Sequence, residues 1–339
     1  MATLKEIAET CGVSTTTVSL ILNNKPNRIS PKVKDLIIQT AEEMNYKPNR
    51  LAAGLVKGST NIIGLVVPDL RNNYFANLVA NLEDAFYPFG YTIMFGNTND
   101  DATKDIMYIK NFLQYKVDGL MIVIASNHDA ETIHDLNLIL QKSGKPVVFI
   151  DRESTLSDFP SVKADNRMGG YLATKHLLSL GHRKIGCLTG PLELQSAKDR
   201  YQGYLDALKE FNVDINTRFR FEGNYQVSSG IVSFPYFKKI SATAIFASND
   251  VMAFGLYYAA SENSTKIPEE LSIVSFDNSP LCEFVYPKLS SISQPADRIS
   301  QQASAYLLAK IEKKPIEQIK MNFTPELIIR QSSYPPNII

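Results

Sequence analysis

The sequence is short of the features that mark secreted and membrane-bound proteins. Its 339 residues hold only three cysteines, which are scattered and odd in number, as suits reduced thiols that pack as small apolar side chains. These are Cys11, Cys187 and Cys282. No run of 18 or more apolar residues occurs, and residues 1–6 carry no apolar signal segment. We therefore expect a cytoplasmic protein.

Short motifs of common catalytic and cofactor sites are also missing. The four histidines, His128, His134, His176 and His182, lack the spacing of zinc ligands, and neither HExxH nor CxxC occurs. The G-x-S-x-G elbow, the P-loop and the G-x-G-x-x-G fingerprint are absent from the sequence too. The sequence therefore predicts no enzyme, no metal ion and no cofactor.

The net charge of zero conceals an asymmetry between the two ends of the chain. Residues 1–58 hold eight Lys or Arg against five acidic residues, about +3, so the remainder carries about −3. A basic head on an acidic body suits a partner with a phosphate backbone. An excess of this size is also common on ordinary solvated surfaces, so the charge alone does not identify a nucleic-acid-binding protein.

The first 24 residues have the pattern of two short helices joined by a turn. Apolar residues at helical spacing mark the first helix: Leu4, Ile7, Ala8 and Cys11. Gly12 and Val13 form the turn, and Ser14 can cap the second helix. The inner face of that helix consists of Val18, Ile21 and Leu22. Two short helices with a glycine-containing turn between them predict a helix-turn-helix.

A third helix and a short segment complete residues 1–58. Ser30 and Pro31 provide an N-cap and a first helical residue. One face of this helix is formed by Val33, Leu36, Ile37, Thr40, Ala41 and Met44. It ends near Asn45 and Tyr46, because Pro48 disfavours helical geometry in the preceding residue. The segment 49–56 is two turns long and contains Gly54, so we expect a hinge that orders only when a partner holds it, or else a plain linker.

The rest of the chain alternates strand-like and helix-like segments. Strands are predicted at Ile62–Val67, Thr92–Gly96, Gly119–Ile124, Val147–Asp151, Lys184–Thr189, Ala244–Ala247 and Ser272–Phe276, with helical patterns such as Tyr74–Phe86 and Asn166–Leu180 between them. Nearly continuous apolar strands separated by helices predict parallel sheets that are covered on both faces. The pattern occurs twice, so the α/β fold expected is a bilobed body, 59–339, of two doubly wound sheets. We assign 61–160 and 292–320 to the first lobe, and 161–291 and 321–332 to the second.

Several strings resemble the lactose/galactose-repressor (LacI/GalR) family in order and spacing. They are GVSTTTVSLILNN, YKPNRLAAGL, NIIGLVVPDL, GHRKIGCLTGP, RYQGYLDAL, AIFASNDVMAFG, IPEELSIVSFDNS and PELIIRQSS. The resemblance covers essentially the whole chain. It implies a dimeric repressor of palindromic operator DNA with a helix-turn-helix head, a hinge helix that enters the minor groove, and a sugar-sensing body like periplasmic binding proteins.

The resemblance also assigns the DNA contacts. The recognition helix runs from about Ser14 to Leu22, with Thr15, Thr16 and Leu20 at its base-reading positions. Leu20 departs from the family, which usually has a polar residue there, often arginine. Leu55 matches the leucine that is wedged between central base steps. The full set of expected DNA-contacting residues is Thr3, Ser14, Thr15, Thr16, Thr17, Ser19, Leu20, Asn23, Asn49, Arg50, Ala52 and Leu55.

An effector site is expected where the strands end, inside the cleft between the lobes. Residues placed there are Asn72, Tyr74, Phe75, Asp151, Arg152, Arg200, Tyr225, Asn249, Asp277 and Gln294. Carboxylate, guanidinium and amide groups can bridge neighbouring hydroxyls, and aromatic rings can cover the C–H faces of a sugar. The set resembles ribose-type sites, although Arg71 and Asn73 depart from related sites. A purine, a disaccharide or a phosphocarrier protein remains an alternative effector.

Two other classes of function are weaker interpretations. A sugar-binding protein without a regulatory role would explain the body but not residues 1–58. A sugar-modifying enzyme would need a general base or a phosphate loop that the sequence does not show. The tail after Arg330 has no leucine heptad for a tetramerising bundle, so a homodimer is favoured over a tetramer.

Overall fold

The computed structural model describes residues 2–23, 28–46, 59–152, 159–317 and 320–336. The chain divides into two compact units, Met1–Thr60 and Asn61–Ile339, and each has its own hydrophobic core. Within the described ranges, no helix combines the length and the apolar character needed to cross a membrane.

The head contains the three predicted helices, α1 (Leu4–Cys11), α2 (Thr15–Leu22) and α3 (Pro31–Glu43). Gly12 closes α1 in the left-handed region at φ 64°, which turns the chain into α2. The core is formed by Ile7, Val18 and Ile37, all fully buried.

Two details of α3 differ from the prediction. Leu36 is 47% exposed, because the buried stripe of this helix follows Ile37, Thr40 and Ala41 and Leu36 lies on its flank. Ser30 occupies the N-cap position, but its side chain makes no capping hydrogen bond. Pro31 at the first helical position has no N–H, so one of the unsatisfied backbone donors at the start of the helix is absent.

The first sheet of the body is wholly parallel, in the order β2-β1-β3-β4-β5-β11. Its strands are β1 (Ile62–Val67), β2 (Thr92–Asn97), β3 (Gly119–Ile122), β4 (Val147–Ile150), β5 (Ser161–Ala164) and β11 (Lys320–Phe323). Helices α4 (Asn73–Phe86) and α11 (Ala296–Ile311) pack on one face, and α5 (Ala102–Gln114) and α6 (Ala130–Ser143) on the other. Alternate residues of β1 supply the two cores, with Leu65 facing the first pair and Val66 the second.

The second sheet has the order β7-β6-β8-β9-β10-β12. Its strands are β6 (Ile185–Thr189), β7 (Arg220–Glu222), β8 (Ala244–Ala247), β9 (Ser272–Asp277), β10 (Ser290–Ser293) and β12 (Glu326–Ile328). Helices α7 (Asn166–Ser179) and α8 (Gln195–Glu210) cover one face, and α9 (Val227–Lys239) and α10 (Asp250–Glu262) the other. The described chain also contains short 3-10 turns at Tyr87–Phe89, Thr217–Phe219 and Pro280–Glu283. The two doubly wound sheets of the prediction are present, with β12 antiparallel at one edge.

The chain passes between the sheets at residues 164–166, 293–296 and 323–326, which differs from the predicted lobe bounds. Strand β5 pairs with β4, so 161–164 belong to the first sheet and not to the second lobe. Strand β11 pairs with β5, which moves 321–323 to the first sheet, whereas 292 and 293 stay in the second. These strands were missed because none of them is an apolar run: β5 has the sequence SVKA, β10 has SSIS, and β11 has KMNF and is only partly buried.

Candidate effector site and DNA-binding head

The second helix of the head is capped and leaves its threonines accessible. The Thr17 backbone N–H donates to Ser14 Oγ at 3.1 Å, so Ser14 is the N-cap of α2. Thr15 and Thr16 are exposed, and Leu20 is half-buried. The Asn23 amide donates to the Ser19 carbonyl at 2.8 Å. A polar, hydroxyl-rich surface of this helix is therefore open to a partner.

Other predicted DNA-contacting residues have structural roles as well or lie outside the described residues. Thr3 is exposed and forms a capping box with Glu6 at the start of α1. Asn49, Arg50, Ala52 and Leu55, with the whole segment 49–56, lie outside the described residues. The wedge assigned to Leu55 stays a prediction.

All ten residues predicted for the effector site line one cavity in the body, together with Ser196. In the first lobe, α4 begins with the Asn72 cap, and Asp151 and Arg152 directly follow β4. In the second lobe, Tyr225 follows β7, Asn249 caps α10, and Asp277 ends β9. Parallel strands bring these loop residues to the same edge of each sheet, which explains why positions far apart in sequence converge.

Arg200 on α8 is the most firmly held cation of the cavity. It is 4% exposed, its Nε donates to Asn166 Oδ1 at 2.7 Å, and its Nη1 donates to the Ser248 carbonyl at 2.5 Å. The guanidinium carbon lies 3.7 Å from the ring centroid of Phe276, a stacking distance. Nη1 is also 3.8 Å from Asp277 Oδ1. Arg200 thus presents a fixed donor and a fixed positive charge.

Arg152 joins the two lobes across the cavity. Its Nη1 donates to Asp100 Oδ1 at 2.6 Å, and Asp100 is itself held by the Ser126 N–H and hydroxyl at 2.9 and 2.6 Å. The guanidinium carbon lies 5.4 Å from the ring centroid of Phe75 in the first lobe and 5.6 Å from that of Tyr225 in the second. Burial acts to lower the pKa of Arg152, but the nearby negative charges, with Asp100 the largest, outweigh it, so the pKa of Arg152 is raised.

Asp277 is the most perturbed acid of the cavity. Burial raises its pKa to about 7, an effect that Arg200 opposes and that the negative charge of Asp250 reinforces. Gln294 donates to Asp277 Oδ1 at 2.8 Å. Near neutral pH the carboxyl group is therefore shared between its protonated and ionised forms.

The backbone is strained at the ends of three cavity strands. Asp151, Tyr225 and Asp277 have φ values of 61°, 63° and 107°, in the region that favours glycine. Conformations of this kind cost about 1–3 kcal/mol each and cluster at binding sites. The strain aims these three side chains into the cavity.

Several buried polar atoms of the cavity have no hydrogen-bond partner among the described residues. They are Tyr74 Oη, Asp151 Oδ1, Tyr225 Oη and Gln294 Oε1. An unsatisfied buried polar group costs about 1–3 kcal/mol, and native proteins contain few. The cavity therefore offers acceptors and hydroxyl groups to a ligand that itself both donates and accepts.

Two further cavities adjoin the first. One shares Asn72, Phe75, Arg152 and Tyr225 with it. The other shares Asp151, Arg152 and Ser196. The cleft is therefore larger than its central cavity.

The sequence analysis missed Ser196, Asp100 and Asn166 of this site. Ser196 lies in the first turn of α8, one helical turn before Arg200, and that spacing would have identified it. Asp100 and Asn166 contact the two arginines and do not follow from any local motif, because their partners are 52 and 34 residues away. In the part of the chain that is described, no cluster of His, Cys, Asp and Glu could hold a metal ion.

A helix-turn-helix head and a two-sheet body with a polar cleft define a DNA-binding regulator that responds to a small ligand. Family models agree with both parts: residues 3–49 match "bacterial regulatory proteins, lacI family" and residues 174–333 match a "periplasmic binding protein-like domain". The chain is 32% identical to the HTH-type transcriptional repressor PurR of Photobacterium profundum, over 98% of both chains. This protein therefore belongs to the lacI family of bacterial regulatory proteins and is a DNA-binding transcriptional regulator.

Solved structures have the same fold. A LacI family transcriptional regulator from Enterococcus faecium with bound ribose is 30% identical, with a TM-score of 0.73 over 81% of this chain and 99% of that chain. The lac repressor dimer bound to operator and an anti-inducer has a TM-score of 0.86 over 98% of this chain and 99% of that chain, at 24% identity.

Proposed function

We propose that this protein is a transcriptional repressor, and not an enzyme, whose affinity for operator DNA is controlled by a neutral monosaccharide, a pentose such as ribose, bound in the central cavity. It acts in the cytoplasm as a homodimer on a palindromic operator. The observation that carries the proposal is the convergence of ten polar and aromatic residues on one cavity.

The charges of the cavity favour a neutral ligand. Arg152 and Arg200 line the cavity together with Asp151 and Asp277, so a ligand meets both basic and acidic side chains. A neutral ligand can contact both kinds of group without adding a buried charge of its own, which would be costly. A sugar hydroxyl donates to a carboxylate and accepts from a guanidinium at once, and so uses both kinds of group.

Two aromatic rings of the cavity have a cation beside them, which favours a sugar over a purine. The guanidinium carbon of Arg152 lies 5.4 Å from the ring centroid of Phe75 and 5.6 Å from that of Tyr225. A flat base would compete with this guanidinium for the two rings, whereas a polyol needs only the hydrogen-bonding groups. The regulator from Enterococcus faecium was solved with bound ribose, which makes ribose the first pentose to test.

The proposed coupling runs from the cavity to the head. Two subunits bring two heads to the half-sites of the operator. Ligand binding changes the relative orientation of the lobes, and the hinge that the sequence predicts at 49–56, outside the described residues, is expected to pass this change to the heads. A coupling free energy of about 1–3 kcal/mol would change operator affinity about 5- to 150-fold.

Titration calorimetry with pentoses, hexoses, disaccharides and purines tests the effector. We expect a pentose to bind most tightly and to change the affinity for a DNA site selected from a random pool at fixed salt. The adjoining cavity, which shares Asn72, Phe75, Arg152 and Tyr225 with the central one, makes a disaccharide the second candidate. Binding of a purine alone would refute the sugar assignment, and the absence of sequence-selective DNA binding would refute the repressor.

A pair of arginine variants controls for general damage. Arg200→Met removes the buried cation of the cavity and should abolish sugar binding. Arg167→Met removes a surface arginine that pairs with Asp206 at 2.6 Å in the same lobe, and it should leave the sugar affinity unchanged. Equal losses in both variants would contradict the proposed site.

A further inference from the structure

Asp250 is a buried acid beside the cavity that does not line it. It is the first residue of α10, directly after Asn249, and it is 1% exposed. Its Oδ1 accepts hydrogen bonds from the hydroxyls of Ser275 at 2.5 Å and Ser291 at 2.7 Å, and its Oδ2 accepts from the Ser279 N–H at 2.6 Å. The carboxylate therefore joins three separate segments of the second lobe.

Each of these segments carries a cavity residue close to its contact with Asp250. Ser275 and Ser279 lie two residues before and two residues after Asp277, so the carboxylate holds the chain on both sides of it. Ser291 is on β10, three residues before Gln294. A further cavity residue, Asn249, directly precedes Asp250 in the chain. One buried group thus fixes the relative positions of three proposed ligands.

The conformation of Asp277 shows why such a restraint is needed. Asp277 and Asn278 have φ values of 107° and 53°, so two successive residues occupy the left-handed half of conformational space. A strained conformation persists only where its surroundings over-determine it. The hydrogen bonds to Ser275 and Ser279 hold the segment on either side of these two residues.

We infer that Asp250 is a positioning residue of the effector site, which sets the geometry of Asn249, Asp277 and Gln294 without touching the ligand. The inference rests on the proposed function of the cavity. The inference extends that function, because it assigns the specificity of the second-lobe half of the site to Asp250, a residue that no ligand would reach.

Asp250 also has an electrostatic effect that a purely structural group would lack. Its negative charge raises the pKa of Asp277, in the same direction as burial. The other groups that act on Asp277 are Arg200 and Gln294, which lower its pKa, and Asp151, which raises it. Tyr74 and Tyr225 are affected by Asp277 in turn. Replacing Asp250 by a neutral group should therefore lower the pKa of Asp277.

The test compares Asp250→Asn with Asp118→Asn in the full-length protein. Asp118 is also buried and accepts a backbone N–H bond, from Asn61 at 2.8 Å, but it precedes β3 at the opposite end of the first sheet. With ribose as the probe, we expect Asp250→Asn to raise Kd at least tenfold and to move the pH dependence of binding to lower pH. Asp118→Asn should change neither. Unchanged binding and pH profile in Asp250→Asn, or equal changes in both variants, would overturn the inference.

Two further measurements keep the test decisive. If Asp250→Asn does not fold, Ser275→Ala and Ser291→Ala each remove one hydrogen bond to the carboxylate and should each weaken ribose binding several-fold. If the wild-type protein binds no sugar, the proposed function fails, but the titration of the Asp277 carboxyl, followed by carbon-detected NMR, still tests Asp250. A pKa of Asp277 that is the same in wild type and Asp250→Asn would then refute the positioning role.

Discussion

Asp277→Asn should make the free protein more stable at alkaline pH while it destroys effector binding. The side chain of Asp277 is 4% exposed, and burial raises its pKa to about 7 even with Arg200 at 3.8 Å. The folded protein therefore disfavours the ionised carboxylate. Asparagine has the same shape and an oxygen that can accept from Gln294, but it carries no charge to desolvate.

The expected gain follows from the two pKa values. Raising the pKa from its ordinary value of 3.8 to about 7 costs the ionised form about 4 kcal/mol, at about 1.4 kcal/mol for each pKa unit. Between pH 4 and pH 7 the unfolded chain ionises while the folded chain stays protonated, so wild-type stability falls as the pH rises and levels off above 7. The substitution should therefore add about 4 kcal/mol at pH 8 and about 2 kcal/mol at pH 5.

Calorimetry or circular dichroism of the free protein at pH 5 and pH 8 measures this effect, since the chain has no tryptophan for fluorescence. For a body of this size 1 kcal/mol corresponds to about 2–4 °C in Tm, so the variant should melt about 8–16 °C higher at pH 8. Asp135 is exposed, so Asp135→Asn is the control and should show no pH-dependent gain in stability. A variant of Asp277 that melts at or below the wild-type temperature at pH 8 would refute the dominance of burial.

Four other outcomes are expected. Asp100→Asn removes the ion pair with Arg152 at 2.6 Å and should weaken ribose binding about tenfold in calorimetry; an unchanged Kd would contradict that contact. Leu20→Arg should shift the selected operator towards guanine at one position per half-site, a change that DNA selection would detect. Leu55→Ala should weaken specific operator binding at fixed salt but leave ribose affinity intact. Burial lowers the pKa of His182, so the hydrogen-exchange protection factors of 331–336, corrected for the intrinsic rate at each pH, should fall below about pH 6.5 and stay constant above it.

The parts of the molecule with strong local periodicity could be predicted from the sequence. The strand Ile62–Val67 is a continuous apolar run with nearly complete burial, and its bounds were predicted correctly. The strands β5, β10 and β11 were not predicted, because their burial comes from neighbouring strands and their short sequences have no apolar run. Tertiary pairing decides such segments, and local propensity does not.

The effector site shows the same division between local and distant information. Many of the residues that line the cavity follow strands or lie at the starts of helices. The rule that ligands bind at the carboxyl ends of strands therefore predicts from the sequence that they lie close together. Asp100 and Asp250 hold these residues in place, and neither follows from that rule. Asp100 meets Arg152 only because the chain folds back over 52 residues, and the donors to Asp250 lie 25 to 41 residues away. The residues that hold a site in place act through long-range contacts, and these cannot be predicted from a single sequence.

The cavity keeps unfavourable features in the free protein that a ligand would relieve. Tyr225 holds a left-handed φ of 63° although it is neither glycine nor asparagine, and its hydroxyl has no hydrogen-bond partner among the described residues. Asp151 has the same combination, with an unpartnered Oδ1. A polyol that bridges these atoms would give both of them hydrogen bonds, and because they belong to opposite lobes it would favour the arrangement in which both reach it. On the proposed function, this difference in contacts between lobe orientations is the differential affinity that any ligand needs in order to shift a conformational equilibrium.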